Sequence, residues 1–122
     1  MAEGIEPKPF SDAITVGTFT KSTDGNTYVY NTILKKSGNL VEFYCEINAA
    51  YASYIPETTL TIGTIQEGFR PAYRRIVPIE VNDGSGNVVT KSFGDAYIYG
   101  DGTVKFNLKE RGFASFSAVY FI

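Results

Sequence analysis

Apolar residues in this chain recur at every second position, and turn-forming residues interrupt that alternation about every 8 to 12 residues. A strand has this period because its successive side chains point to opposite faces. No window of a dozen residues keeps its apolar positions at helical spacing. The clearest strand run is residues 40–47, whose apolar members are Val41, Phe43, Cys45 and Ile47. The sequence therefore predicts an all-β chain that folds as an antiparallel β-sandwich or barrel.

Nine short strands follow from the alternation and its interruptions. They span residues 12–19, 28–36, 40–47, 60–65, 76–81, 88–93, 96–99, 103–108 and 114–122. Asp24 and Gly25 predict a tight turn at residues 22–26, because an Asp-Gly pair tolerates the positive φ of hairpins. Residues 48–58 form a longer loop. The last strand is apolar on both faces near its end, so it is either central in the sandwich or packed against a neighbouring subunit.

The length and charge of the chain limit its architecture and its partners. With 122 residues it can bury a core of its own, and we expect one domain over residues 12–122, preceded by a connector or an added lead at residues 1–11. The 11 basic and 13 acidic residues are spread along the chain, so no basic stripe predicts a nucleic-acid partner. No segment has the roughly 18 consecutive apolar residues of a membrane span, and we expect no membrane insertion.

Histidine is absent from the sequence, which removes the commonest general base and the commonest transition-metal ligand. The glycines at residues 83–86 and 100–102 lie in hairpins and open no helix, so neither a phosphate loop nor a dinucleotide fingerprint is present. A glycosidase with two carboxylates, such as Glu42 and Glu46 on one strand face, is the enzymatic alternative that remains. We expect a protein that is not an enzyme and that uses no cofactor and no metal.

Saccharide binding without catalysis needs less: one or two aromatic rings under a sugar face, and polar groups that bond its hydroxyls. The loop at residues 48–58 supplies two tyrosines beside an amide and a carboxylate, and an arginine pair and a tyrosine-bearing strand follow. The predicted saccharide-binding residues are Asn48, Tyr51, Tyr54, Glu57, Arg75 and Tyr97. For each tyrosine the alternative is a strand residue that packs its ring and exposes its hydroxyl.

Three motifs occur in a fixed order along the chain: KKSGNLV at residues 35–41, GFRPAY at residues 68–73 and YGDGTV at residues 99–104. Each motif joins a turn to an alternating strand. Together they resemble the C-terminal head domains of phage tail and baseplate receptor-binding proteins, of the lactococcal-phage kind. The resemblance covers roughly residues 12–122.

That resemblance implies a jelly-roll-like β-sandwich that forms a homotrimer and binds host cell-surface saccharide without catalysing a reaction. It also implies a place in the virion, at the tail tip or baseplate, after synthesis in the host cytoplasm. Other tail or baseplate proteins would contact the N-terminal side. Two alternatives stay open: a structural tail, baseplate or fibre module without a ligand, and an unrelated bacterial carbohydrate-binding or adhesion module.

Overall fold

The fold is almost entirely antiparallel β-structure, which confirms the all-β sandwich or barrel predicted from the alternation. A computed structural model describes residues 13–50, 53–82 and 87–122, without the side chains at 82 and 88–92. The described elements are nine strands and one short helix. They are β1 (Ile14–Val16), β2 (Phe19–Lys21), α1 (Thr23–Tyr28), β3 (Val29–Ser37), β4 (Leu40–Asn48), β5 (Leu60–Ile65), β6 (Arg75–Asn82), β7 (Val88–Ile98), β8 (Thr103–Leu108) and β9 (Phe113–Phe121).

The nine strands form one curled sheet whose two edge strands are neighbours in the chain. The strand order is β1-β3-β4-β9-β6-β7-β8-β5-β2. Between the edge strands, the Gly17 amide donates to the Leu34 carbonyl at 2.8 Å, and the Gln66 amide donates to the Thr18 carbonyl at 3.1 Å. Since β1 pairs with β3 and β2 pairs with β5, one segment at residues 14–21 forms both edges of the sheet.

The core lies between two halves of the curled sheet. β6 pairs with β9 at residues 80–82 and 113–115, where the halves meet. Aromatic side chains from both halves then fill the interior, and the ring centroids of Phe19 in β2 and Phe43 in β4 are 5.2 Å apart. Phe43 also contacts Phe116 of β9 edge-on at 5.8 Å. Burial of such side chains supplies the main stabilising free energy, at roughly 25 cal/mol per Å² of apolar surface.

The alternation locates several strands correctly. β5 and β8 begin and end at the predicted residues. In β4 the predicted inward residues are all buried, namely Val41, Phe43, Cys45 and Ile47. Burial raises the pKa of the Cys45 thiol above its ordinary value, so this side chain behaves as a small apolar core residue.

The turn predicted at residues 22–26 is wrong, because the chain forms the short helix α1 there. Ser22 is its N-cap: the Ser22 hydroxyl accepts from the Gly25 amide at 3.1 Å and donates to the Thr61 carbonyl at 2.6 Å. Gly25 is buried, and a Cβ at this position would overlap the Ile62 carbonyl of β5. The glycine therefore permits close packing of helix on strand and does not form a hairpin turn.

The two strands predicted at residues 88–93 and 96–99 are one continuous strand, β7. Gly94 does not break it, because the strand pairs through Gly94 with Ile79 on one side and with Leu108 on the other. A Cβ at Gly94 would overlap the Asn107 carbonyl. Glycine inside a strand can mark such a close backbone approach, and this is the case here.

The last strand, β9, is central for part of its length. It lies between β4 and β6 at residues 113–115 and pairs with β4 alone over residues 116–121. The inward Tyr120 is buried, whereas the outward Val119 and Phe121 are exposed. The first sequence alternative, a central strand, therefore holds for residues 113–115. Packing against a neighbouring subunit stays a prediction for the exposed outward side chains.

Candidate functional site

Tyr54 lies in the core, although the sequence predicts it at a saccharide site. Its side chain is 1% exposed, and its ring stacks on Phe106 with 5.3 Å between centroids. Its hydroxyl donates to the Thr58 carbonyl at 2.6 Å and accepts from the Leu108 amide at 2.8 Å. Because the ring is enclosed and the hydroxyl is bonded internally, Tyr54 cannot lie under a sugar face.

Asn48 and Glu57 are held by local and backbone contacts at the two ends of the 48–58 loop. Asn48 ends β4, and its Oδ1 accepts from the amide two residues later at 3.1 Å. The Glu57 amide donates to the Leu108 carbonyl at 2.7 Å, and the Glu57 carbonyl accepts from Asn107 Nδ2 at 3.1 Å. The Glu57 backbone is therefore fixed beside β8. Tyr51, which the sequence predicts in the same site, lies outside the described residues.

Arg75 and Tyr97 are on neighbouring strands but on opposite faces of the sheet. In the register of β6 with β7, Arg75 lies opposite Ile98, and Tyr97 lies opposite Ile76. Because successive side chains of a strand point to opposite faces, the side chains of Arg75 and Tyr97 diverge. The structure therefore does not bring Arg75 and Tyr97 together into one site.

A groove lies between the segment that leads into β6 and the end of β9. It has a volume of about 290 Å³. Tyr73 is 82% exposed and Phe121 is 70% exposed, so both rings are available to a ligand, and the exposed Arg75 is the charged side chain beside them. We call this the C-terminal groove, and it is lined by Pro71, Ala72, Tyr73, Arg75, Phe121 and Ile122.

The turn before the C-terminal groove is anchored to the core at Phe69. The buried Tyr120 hydroxyl donates to the Phe69 carbonyl at 2.6 Å. Lys36 Nζ donates to the Gly68 carbonyl at 2.8 Å and lies 4.6 Å from the centroid of the Phe69 ring. These contacts fix the backbone that leads into Pro71, so one wall of the groove is preorganised.

Two cations approach the ring of Tyr99, which follows β7. Arg74 precedes β6, and its guanidinium carbon is 6.0 Å from the centroid of the Tyr99 ring. Lys105 of β8 approaches the same ring, with Nζ 5.4 Å from the centroid. We call Arg74, Tyr99 and Lys105 the cation cluster. Its two charges come from separate parts of the chain and meet at one aromatic ring.

Apolar side chains cover the outside of the half that contains β1, β3, β4 and β9. Val16 is 77% exposed and Val119 is 57% exposed. At the middle of this surface Lys35 Nζ and Glu42 Oε1 form an ion pair at 3.3 Å, and Glu42 lies opposite Val119 in the register of β4 with β9. We call this the apolar outer face, with the exposed residues Ile14, Val16, Ile33, Leu40 and Val119.

The two carboxylates considered for a glycosidase have partners on this half of the sheet. Glu42 is paired with Lys35. Glu46 accepts from the Tyr44 hydroxyl at 2.9 Å and from Asn31 Nδ2 at 2.8 Å. Burial, together with the bond to Glu46 and its charge, raises the pKa of Tyr44 to about 12. These contacts give Glu42 and Glu46 structural roles on the strand face.

Sequence reasoning missed Tyr73 and Phe121 as candidate binding residues. Tyr73 ends the GFRPAY motif and precedes the arginine pair. An aromatic residue beside two positive charges is a sequence signal that could have indicated a binding residue. Phe121 carries no such signal, because in the sequence it is one of several apolar residues in the last strand. Only the position of β9 beside residues 71–75 brings the two rings together.

Comparison with known proteins adds no relatives, since no family model and no curated protein matches the chain. Within the described residues, no cluster of three or more Asp, Glu, Cys or His side chains is placed to hold a metal ion. The helical part of these residues contains nothing of the length and apolarity needed to cross a membrane.

Proposed function

We propose that this protein is the receptor-binding head domain of a phage tail or baseplate. In this proposal it binds host cell-surface saccharide without catalysis and acts as a homotrimer in the virion. Two things support the proposal: the resemblance of the three sequence motifs, and the chemistry of the C-terminal groove. The all-β fold is compatible with it and with the two alternatives.

The observation that carries the saccharide proposal is the pairing of two exposed rings with a guanidinium in one groove. Tyr73 and Phe121 offer flat apolar surfaces to the C–H faces of a sugar, and their exposure leaves these surfaces free. Arg75 contributes five N–H donors in a fixed planar arrangement, which suits adjacent hydroxyl oxygens. Non-covalent binding requires no more than this, so the groove serves recognition without an acid or a base.

The apolar outer face supports the homotrimer. Exposed apolar patches with a polar rim are typical of protein–protein interfaces. Val16 and Val119 bury their surface if a second copy covers them, at roughly 25 cal/mol per Å². The Lys35–Glu42 pair carries both signs of charge, so copies of one face can meet without a net repulsion.

The saccharide proposal is tested by binding to an array of bacterial cell-surface saccharides. We expect the unaltered protein to bind at least one of them, and Tyr73→Ala and Arg75→Ala each to weaken that binding about tenfold, equivalent to roughly 1.4 kcal/mol. Tyr30→Ala is the matched control, because Tyr30 is also an exposed strand tyrosine but is not in the groove. It should bind as the unaltered protein does.

Three outcomes contradict this proposal in different ways. Binding that is lost in Tyr97→Ala and kept in Tyr73→Ala would place the site on the outer surface of β7. If all variants bind saccharide equally, neither the C-terminal groove nor the outer surface of β7 is the saccharide site. If no saccharide binds at all, the structural tail, baseplate or fibre module becomes the better description of the protein.

A further inference from the structure

The two walls of the C-terminal groove come from distant parts of the chain. Tyr73 precedes β6, and Phe121 ends β9, 48 positions later. The ladder of β6 with β9 covers residues 80–82 and 113–115. Towards the groove, β6 continues its pairing with β7 and β9 continues its pairing with β4. The ladder between the two strands therefore ends before it reaches the groove, and other contacts hold the walls at their separation.

A buried hydrogen bond joins the two walls. The Tyr120 side chain is 1% exposed, and its hydroxyl donates to the Phe69 carbonyl at 2.6 Å. Tyr120 is next to Phe121 in β9, and Phe69 is two positions before Pro71, which lines the other wall. Because the bond is buried, water does not readily replace the hydroxyl. The distance between the walls therefore depends on this bond.

A second side chain holds the neighbouring carbonyl of the same turn. Lys36 Nζ donates to the Gly68 carbonyl at 2.8 Å. In the register of the sheet, Lys36 lies opposite Val41, which in turn lies opposite Tyr120. Gly68 has a φ of 94°, a conformation that glycine adopts without strain. Two consecutive carbonyls of the turn are thus bonded to side chains from one row of β3, β4 and β9.

The turn is also braced by hydrogen bonds of its own. The Phe69 amide donates to the Gln66 carbonyl at 3.1 Å. Arg70 Nε donates at 2.8 Å to the carbonyl of Ile65, the last residue of β5. These bonds connect the turn into one unit, so a displacement at Phe69 moves the groove wall that follows it. The bond to β9 therefore sets the position of that wall.

We propose that Tyr120 and Lys36 are positioning residues for the C-terminal groove. They set the separation of its two aromatic rings, Tyr73 and Phe121. Neither of them lines the groove, so each acts through the turn at Phe69 and not by contact with the saccharide. This inference rests on the proposed function, since it concerns how the same site is held ready for its ligand. A ligand that meets two fixed rings loses no affinity to the ordering of loose ones.

Tyr120 has the larger effect of the two positioning residues. Its bond to the Phe69 carbonyl is buried, whereas the bond of Lys36 to the Gly68 carbonyl is exposed. Water can take the place of the ammonium group at an exposed carbonyl, and a buried carbonyl stays unsatisfied. Removal of the Tyr120 hydroxyl should therefore disturb the groove more than removal of the Lys36 charge.

The position of the walls is measured first without any saccharide, by NMR relaxation dispersion on the full chain. Tyr120→Phe keeps the ring in the core and removes only the hydroxyl. We expect exchange on the μs–ms timescale at Tyr73 and Phe121 in this variant and at neither ring in the unaltered protein. Tyr54→Phe is the matched control, because it also removes a buried tyrosine hydroxyl that bonds backbone groups but is not at the groove. Both rings should remain free of exchange in the control.

The same variants are then titrated with the saccharide that binds most tightly in the array. Tyr120→Phe should weaken binding about tenfold and Lys36→Met about twofold. Tyr54→Phe should bind as the unaltered protein does. Lys35→Met is the control for Lys36→Met, because it removes the neighbouring lysine, whose Nζ pairs with Glu42 on the apolar outer face.

Two results would overturn the positioning role. One is a Tyr120→Phe variant whose two groove rings stay free of exchange or whose affinity is unchanged. The other is an equal effect of Tyr120→Phe and Tyr54→Phe, because both would then act by a general loosening of the fold. If Tyr120→Phe does not fold, the comparison of Lys36→Met with Lys35→Met decides in the same way. Failure of the proposed function has a different signature: the unaltered protein binds no saccharide, while Tyr120→Phe still causes exchange at the groove rings.

Discussion

The Tyr54 hydroxyl accepts a hydrogen bond from the Leu108 amide at 2.8 Å, although 54 positions separate the two residues in the chain. The same hydroxyl donates to the Thr58 carbonyl at 2.6 Å. Tyr54 thus holds residues 54–58 against the end of β8 and satisfies the buried Leu108 amide and the partly buried Thr58 carbonyl. Burial raises its pKa above the usual value, which is consistent with a neutral phenol inside the fold.

Tyr54→Phe should destabilise the protein while it keeps the ring stacked on Phe106. The substitution leaves the Leu108 amide and the Thr58 carbonyl without their partner, and an unsatisfied buried polar group costs about 1–3 kcal/mol. We expect the free energy of unfolding to fall by about 2 kcal/mol in urea denaturation. Tyr97→Phe, on a partly exposed strand face, should change it by less than about 0.5 kcal/mol. Equal effects of both variants would contradict the role given to Tyr54.

Gly25→Ala should destabilise the protein, although alanine is the better helix former by about 1 kcal/mol. The added Cβ would overlap the Ile62 carbonyl, so α1 must move away from β5 and open the core. We expect a loss of about 2 kcal/mol or more in thermal or urea unfolding. Gly112→Ala is the control, because its Cβ would meet only ordinary contacts at 3.8 Å or longer. A gain in stability for Gly25→Ala would refute the packing described for α1.

The protein should lose stability as the pH rises from about 10 to 12. Burial raises the pKa of Tyr120 from 10.0 to about 12, so the unfolded chain releases this proton at a lower pH than the folded one does. The stabilisation is complete below pH 10 and is lost as the pH passes through the folded value. Urea unfolding at a series of pH values measures it. Tyr120→Phe, although less stable overall, should show a shallower decline, and an unchanged slope would exclude Tyr120 as its source.

Val119→Lys should convert the proposed trimer to a monomer without unfolding it. Val119 is on the apolar outer face opposite Glu42, so an exposed lysine is tolerated in one copy but costs desolvation inside an interface. Light scattering should give three times 13.4 kDa for the unaltered protein and one third of that mass for the variant. Thr64→Lys, an exposed position on β5, should remain trimeric. A monomeric unaltered protein would favour the carbohydrate-binding or adhesion module.

The alternation predicted most of the strands because the longer strands, such as β4, β8 and β9, bury one face. In β4 a shift of one residue would move Phe43 and Ile47 from the core to solvent, so pattern and pairing register agree. The failures have local causes. The preference of Asp-Gly for turns predicts a turn at residues 22–26, but the cap at Ser22 and the closeness of β5 decide in favour of a helix.

The sequence by itself determined the all-β class, the inward face of β4 and the exclusion of histidine chemistry, because these depend on composition and on local periodicity. Only the tertiary structure decided which tyrosines are available to a ligand. Tyr54 and Tyr73 both lie in segments between strands, yet one is enclosed by Phe106 and the other is open beside Phe121. The residues that enclose or expose each ring come from strands that are distant in the chain. The local sequence around a tyrosine therefore does not determine its exposure.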